Sequence, residues 1–143
     1  MLYIYGIHIM GAGSEAMKAG RKKVLIADGS TFMCIMLATT LEKLDFEVVG
    51  TSKSGNEAIE KFKALKPDIV LVDPALPDKD GIEVTREITE ESPSTVVIML
   101  LTGSEADPDI IVEAVRAGAR GYMRKPITEG EIKARIESAM KRR

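Results

Sequence analysis

Residues 66–84 read KPDIVLVDPALPDKDGIEV, and this stretch decides the fold. Ile69, Val70, Leu71 and Val72 form a short β-prone apolar run without polar alternation, the pattern of a strand covered on both faces. Asp73 ends the run. Asp80 precedes Gly81, with Glu83 three residues on, an acceptor-then-acid start for a helix. A buried strand, a loop that opens on a carboxylate and a helix follow within 19 residues.

The same strand-then-helix unit recurs on either side. Strands are expected at 24–28, 47–51, 69–73, 96–101 and 121–124, each followed by a helical segment. Ser54-x-x-Glu57 and Thr128-x-x-Glu131 are further capping boxes. Asp107-Pro108 sets a capping oxygen before a proline at the first helical position, and Gly118 suits a left-handed helix end. Alternation of this kind implies an α/β fold, a doubly wound parallel (βα)5 sandwich with right-handed crossovers. The chain of 143 residues is long enough for one such domain and too short for two.

Composition excludes several function classes. The formal net charge is −2 and tryptophan is absent, so neither a basic nucleic-acid surface nor a set of stacking platforms is present. The basic clusters Arg21-Lys22-Lys23 and Lys141-Arg142-Arg143 read as solvated ends of elements. No apolar run approaches the roughly 20 residues that span a bilayer. Cys34 is the single cysteine and His8 the single histidine, which rules out an intrachain disulfide and a His/Cys zinc site, and suits a cytoplasmic protein. Residues 1–20, beginning MLYIYGIHIM, stand apart. They read as a flexible extension or an upstream start, with the alternation of Tyr3, Tyr5, Ile7 and Ile9 leaving a short strand open; the domain proper is 21–143.

Ligands of a doubly wound sheet sit at the carboxyl ends of its strands. Those ends carry Asp28, Asp73 and Thr102, and Lys125 follows the fifth run. Two carboxylates suit Mg²⁺, a hard cation content with oxygen ligands and water. A carboxylate is also a competent nucleophile toward phosphorus, and a hydroxyl with an ammonium can hold the transferred oxygens. Singly, each residue also fits an ordinary turn; together they form a site.

These residues resemble the receiver domain of two-component response regulators, across 22–142. The 66–84 stretch is similar to the family's phosphoacceptor strand and loop, VIMLLTG (97–103) to its fourth strand with a switch threonine, and AGARGYMRKPI (117–127) to its fifth strand with an aromatic switch residue and Lys-Pro. The resemblance implies a flavodoxin-like sheet in the order 2-1-3-4-5. It implies that Asp73 accepts the phosphoryl group, that Asp28, Asp73 and the backbone carbonyl of Ala75 hold Mg²⁺, and that Thr102 and Lys125 bind phosphoryl oxygens. Thr102 and Tyr122 then form the switch, beside a Lys125–Pro126 peptide expected to be cis. The implied partners are a sensor histidine kinase or phosphotransfer protein and, because the chain stops at the fifth helix, a separate effector protein or a second copy. Nucleic acid and membrane are not expected partners.

Two departures from the family stand out. Gly29 follows Asp28 where a second acid, normally a direct metal ligand, is usual, which leaves open a pseudo-receiver that does not use phosphorylation. In the first helix, FMCIML (32–37) is uniformly apolar. Met33, Leu37, Leu41 and Leu44 fit an inward stripe, which would leave Cys34, Ile35 and Ala38 near solvent. Those three are then either partly covered by a neighbouring helix or a partner surface. A phosphohydrolase with an aspartyl nucleophile is disfavoured, because Ala75 stands where such enzymes of the haloacid-dehalogenase type carry a second aspartate.

Overall fold

The computed structural model describes residues 20–102 and 108–141. Asp107, Arg142, Arg143 and all but the last of residues 1–20 lie outside the described residues, and so do the expectations that rest on them.

Among the described residues, ten elements alternate: β1 (Lys23–Ala27), α1 (Thr31–Lys43), β2 (Glu47–Ser52), α2 (Gly55–Leu65), β3 (Ile69–Val72), α3 (Gly81–Glu91), β4 (Val96–Thr102), α4 (Pro108–Ala117), β5 (Gly121–Lys125) and α5 (Glu129–Lys141). All neighbouring strands pair parallel, in the order β2-β1-β3-β4-β5. The central strands are buried on both faces, which explains their lack of polar alternation. On one face Val24, Ile26, Leu71 and Ile98 pack with Leu37 and Leu41 of α1 and Ile132 and Ile136 of α5. On the other, Leu25, Val70, Val72 and Met99 pack with Ile59 and Phe62 of α2, Val84 and Ile88 of α3, and Ala114 of α4.

The three cap side chains hold the helix starts, although in the Ser54 box Glu57 reaches back to Lys53 N–H, one residue before the cap, at 3.0 Å. Ser54, Asp80 and Thr128 accept the backbone N–H three residues on at 3.2, 2.9 and 3.2 Å. Gly118 takes φ +114, and a Cβ there would meet the Thr89 side chain at 2.5 Å. The Thr89 hydroxyl in turn donates to the Ala117 carbonyl at 2.6 Å, bolting the end of α4 to α3.

The face of α1 requires a correction. Cys34 and Ala38 are buried, at 5% and 2% exposure, whereas Ile35 is 59% exposed and Phe32 69%. The buried stripe is Cys34, Leu37, Ala38 and Leu41, with Met33 and Leu44 half-buried at its flank. Six successive apolar residues carry almost no phase information. The phase is set instead by the helix start, where Ser30 accepts Met33 N–H at 3.2 Å, and by the Cys34 thiol donating to the Asp28 carbonyl at 3.3 Å. Of the three expected surface residues, only Ile35 lies on the surface.

Candidate functional site

The chain reverses its direction of travel across the sheet between β1 and β3, and this switch point opens a crevice beyond their carboxyl ends. Asp28 and Asp73 are the first residues past those two strands. Their backbones continue the ladder: Asp28 N–H donates to Ser52 O at 3.0 Å and Asp73 N–H to Ala27 O at 2.9 Å. Both carboxylates therefore stand on the rigid sheet rather than on a free loop.

Lys125, at the end of β5, reaches past β4 to both. Its Nζ lies 2.7 Å from Asp28 Oδ2 and 2.9 Å from Asp73 Oδ2. The remaining carboxylate oxygens are held by backbone. Asp28 Oδ1 accepts Ser30 N–H at 2.9 Å, and Asp73 Oδ1 accepts Ala75 N–H at 2.8 Å. Asp28 is almost wholly buried, while the side chains of Asp73 and Lys125 keep slight access to solvent, at 13% and 17%. Burial pulls the Lys125 ammonium toward a lower pKa, but its hydrogen bonds to Asp28 and Asp73 outweigh that and hold it above the usual lysine value. The Lys125–Pro126 peptide is cis.

The loop carrying Asp73 is wedged between two helix starts. A Cβ at Gly81 would lie 2.3 Å from the Asp73 carbonyl oxygen, and one at Gly55 would lie 1.9 Å from that of Lys79, so only glycine permits either approach. Asp78, at φ +62, turns its Oδ1 to the N–H groups of Gly55 and Asn56 at 3.0 and 3.2 Å and caps α2 from outside. What little desolvation Asp78 suffers is outweighed by hydrogen bonds from the Asn56 and Lys79 backbone, which lower its pKa. Lys79 pairs with Glu87 of α3. Sequence spacing gave no sign of the Asp78 cap, because its partners are more than 20 residues away.

Thr102 is exposed at the end of β4 and is the register partner of Lys125. Tyr122 pairs with Met99 and is half-buried against the α2–α3–α4 face of the core. The guanidinium carbons of Arg124 and Arg135 lie 6.0 and 5.8 Å from its ring centroid. Asp28, Asp73 and Lys125 thus converge on one point, Thr102 stands on the adjoining strand end, and Tyr122 lies three residues earlier than Lys125 on β5. Ala75 touches the site through its N–H and is itself exposed.

The donor set fits a hard divalent cation in kind. Its side-chain ligands are two carboxylates, within what Mg²⁺ accepts when water and phosphoryl oxygens complete its shell. Among the described residues no third His, Cys, Asp or Glu joins them. Gly29 offers no donor, and a Cβ built on it would meet only the Lys53 carbonyl oxygen, at 3.9 Å. The space is open, with room for water in place of a side chain.

Residues 24–137 match the response regulator receiver domain family. The chain is 37% identical over 112 residues to the chemotaxis protein CheY of Thermotoga maritima, an alignment spanning 78% of this chain and 91% of that protein. It is 35% identical over 119 residues to the Halobacterium salinarum chemotaxis protein CheY, spanning 83% and 97%. Among solved structures, the response regulator domain of Thermotoga maritima CheB superposes with a TM-score of 0.76 at 35% identity, covering 85% of this chain and 97% of that one. A CheY-like receiver domain protein from Methanospirillum hungatei gives 0.78 at 26% identity, covering 86% and 96%.

Proposed function

The chain belongs to the response-regulator receiver family, and from that premise we propose that it is a phosphorylation-dependent switch that accepts a phosphoryl group on Asp73. The donor is the phosphohistidine of a sensor kinase or phosphotransfer protein. One observation carries the reading: two carboxylates from adjacent strand ends converge on a single ammonium at the switch point of the sheet.

The chemistry follows from that corner. A lone pair of the Asp73 carboxylate forms the new O–P bond as the P–N bond of the phosphoimidazole breaks. The bonding pair returns to the ring nitrogen, and the ring takes a proton and leaves as neutral imidazole. Ala75 N–H and Lys125 hold the Asp73 carboxylate so that no reorientation is needed at the moment of attack. Lys125, held protonated by its two acids, meets the phosphoryl oxygens with a fixed positive charge. Mg²⁺, held by Asp28, Asp73 and the Ala75 carbonyl oxygen, would add charge neutralisation on the same oxygens. Thr102 donates its hydroxyl to the phosphoryl group and Tyr122 follows, which shifts the population of the α4–β5–α5 surface toward its partner-binding form. The output is a separate effector protein or self-association. The setting is the cytoplasm, and the chain turns over no substrate beyond its own acyl phosphate. Among the described residues no helix is long and apolar enough to cross a membrane.

Mass spectrometry after treatment with acetyl phosphate and Mg²⁺ tests the proposal. Wild type is expected to gain one phosphoryl group and Asp73→Ala none. Equal labelling of the two, or none of either, would defeat it. Gly29 favours one second reading, an interaction module of the same fold that ignores phosphate. Beryllofluoride with Mg²⁺ should raise the melting temperature of a working switch and leave that of such a module unchanged.

A further inference from the structure

We infer that Asp78 is a positioning residue for phosphoryl acceptance: by clasping the start of α2 it fixes the loop from Asp73 to Asp80, and through that loop the acceptor carboxylate and the backbone of Ala75. The inference rests on the phosphoryl-accepting role of Asp73.

The loop between β3 and α3 opens on the acceptor itself. Two ties close it. On the α3 side, Gly81 N–H donates to Pro74 O at 2.9 Å. On the α2 side, Gly55 N–H lies between two acceptors, Pro77 O at 3.2 Å and Asp78 Oδ1 at 3.0 Å, and Asn56 N–H reaches the same Oδ1 at 3.2 Å. Ala75 sits between the two ties. Its N–H holds Asp73 Oδ1 at 2.8 Å, and its carbonyl oxygen is the backbone ligand proposed for Mg²⁺.

The Asp78 contacts are more than the start of a helix requires. α2 already has a cap from its own stretch of chain: Ser54 accepts Glu57 N–H, and Glu57 accepts Lys53 N–H. Asp78 adds an attachment across 23 and 22 residues of chain, from the acceptor loop to the helix. A carboxylate suits the free N–H groups and the positive end of the dipole at that helix start. The helix is a firm anchor, because Ala58, Ile59 and Phe62 bury it against the sheet. Asp78 also holds φ +62, a left-handed conformation unfavourable for a residue with a Cβ, which its hydrogen bonds offset. Without the clasp the loop keeps its tie at Gly81 but loses its hold on α2, and Ala75 is free to swing. A shift of about 1 Å at a reacting group can cost on the order of 10²-fold in rate.

The closing experiment uses three variants of the full chain. Asp78→Gly removes the carboxylate and eases the positive φ, so the clasp is lost without added strain. Asp78→Asn keeps an oxygen acceptor and tolerates the left-handed backbone. Glu57→Ala weakens the same helix start without touching the loop. The readouts are the rate of Asp73 labelling by acetyl phosphate across a Mg²⁺ series, the Ala75 amide resonance by NMR with neither donor nor cation present, and the melting temperature. Asp78→Gly should lower the maximal labelling rate about 10–100-fold, raise the half-saturating Mg²⁺ and move the Ala75 amide upfield as its bond to Asp73 loosens. Asp78→Asn should restore all three. Glu57→Ala should lower the melting temperature and leave all three as in wild type. A wild-type labelling rate in Asp78→Gly would remove the role of Asp78 and leave the switch standing. Equal slowing in Asp78→Gly and Glu57→Ala would assign the effect to the stability of α2 and overturn the inference, as would an asparagine variant that behaves like the glycine one. A wild type that takes no label at all would remove the phosphoacceptor reading and this role with it.

Discussion

The carboxyl edge of the sheet has two unlike halves. At β1 and β3, Asp28, Asp73 and Lys125 are tied to one another and to backbone N–H groups, and the loop behind them fits only because Gly55 and Gly81 have no side chains. At β4 and β5, Thr102 is exposed and Tyr122 is half-buried between two arginines. Further down, toward the start of β5, Val115 of the adjoining helix α4 is 60% exposed and lines a groove of about 430 Å³ with Arg120 and Tyr122. Chemistry that needs a fixed geometry is built where every polar atom is restrained. A readout that must change shape is built where packing is thin.

Lys125→Met strikes the fixed half hardest. It leaves two carboxylates facing each other without their cation, which should cost about 2–4 kcal/mol at neutral pH by urea denaturation, a little below the range for breaking a fully buried pair. Acetyl-phosphate labelling should fall by about 10²-fold or more. In wild type the Lys125 pKa is raised on folding, so its contribution is complete below the ordinary value of 10.5 and is lost only as pH climbs through the higher folded value. A midpoint that falls off between pH 8 and 10 through this group would contradict the geometry.

Gly29→Asp sharpens the same half. The open space accepts a side chain, so the fold should hold, and the half-saturating Mg²⁺ for labelling should drop about 10-fold or more. An unchanged Mg²⁺ requirement would mean that Asp28 and Asp73 are not the cation's ligands.

Ile35→Asp probes the exposed flank of α1. Unfolding free energy should move by under about 0.5 kcal/mol and acetyl-phosphate labelling should stay the same, while transfer from the cognate kinase should slow. Equal transfer rates would take Ile35 off the partner surface. Thr102→Ala should have the smallest effect on the chemistry: stability within about 0.5 kcal/mol and labelling largely kept, with the phosphorylation-linked change at the Tyr122 ring signals lost by NMR. If those signals still move, the two halves are coupled by another route.

Much of this was legible before any coordinates. All five strands fall within a residue of their sequence-based bounds, because a strand buried on both faces leaves an uninterrupted apolar run. Asp28, Asp73, Thr102 and Lys125 were picked out by the rule that doubly wound sheets work at their strand ends, and the structure brings Asp28, Asp73 and Lys125 together. The cap at Ser30 was not read, and neither was the turn of α1 that buries Cys34 and Ala38, since a helix apolar nearly all round has no preferred face in sequence alone. The Asp78 cap and the place of Lys53 were equally hidden.

The sequence by itself determined the alternation of elements, their boundaries and the residue types at the strand ends, because these are local signals of periodicity, capping and turn chemistry. Only the tertiary structure decided which face of α1 is buried, that Lys125 bridges both acids, that Asp78 holds α2, and that Lys53 borders Gly29. Each of those is a contact between residues far apart in the chain, fixed by the order of the strands and the packing of helices on them, and no local pattern encodes it.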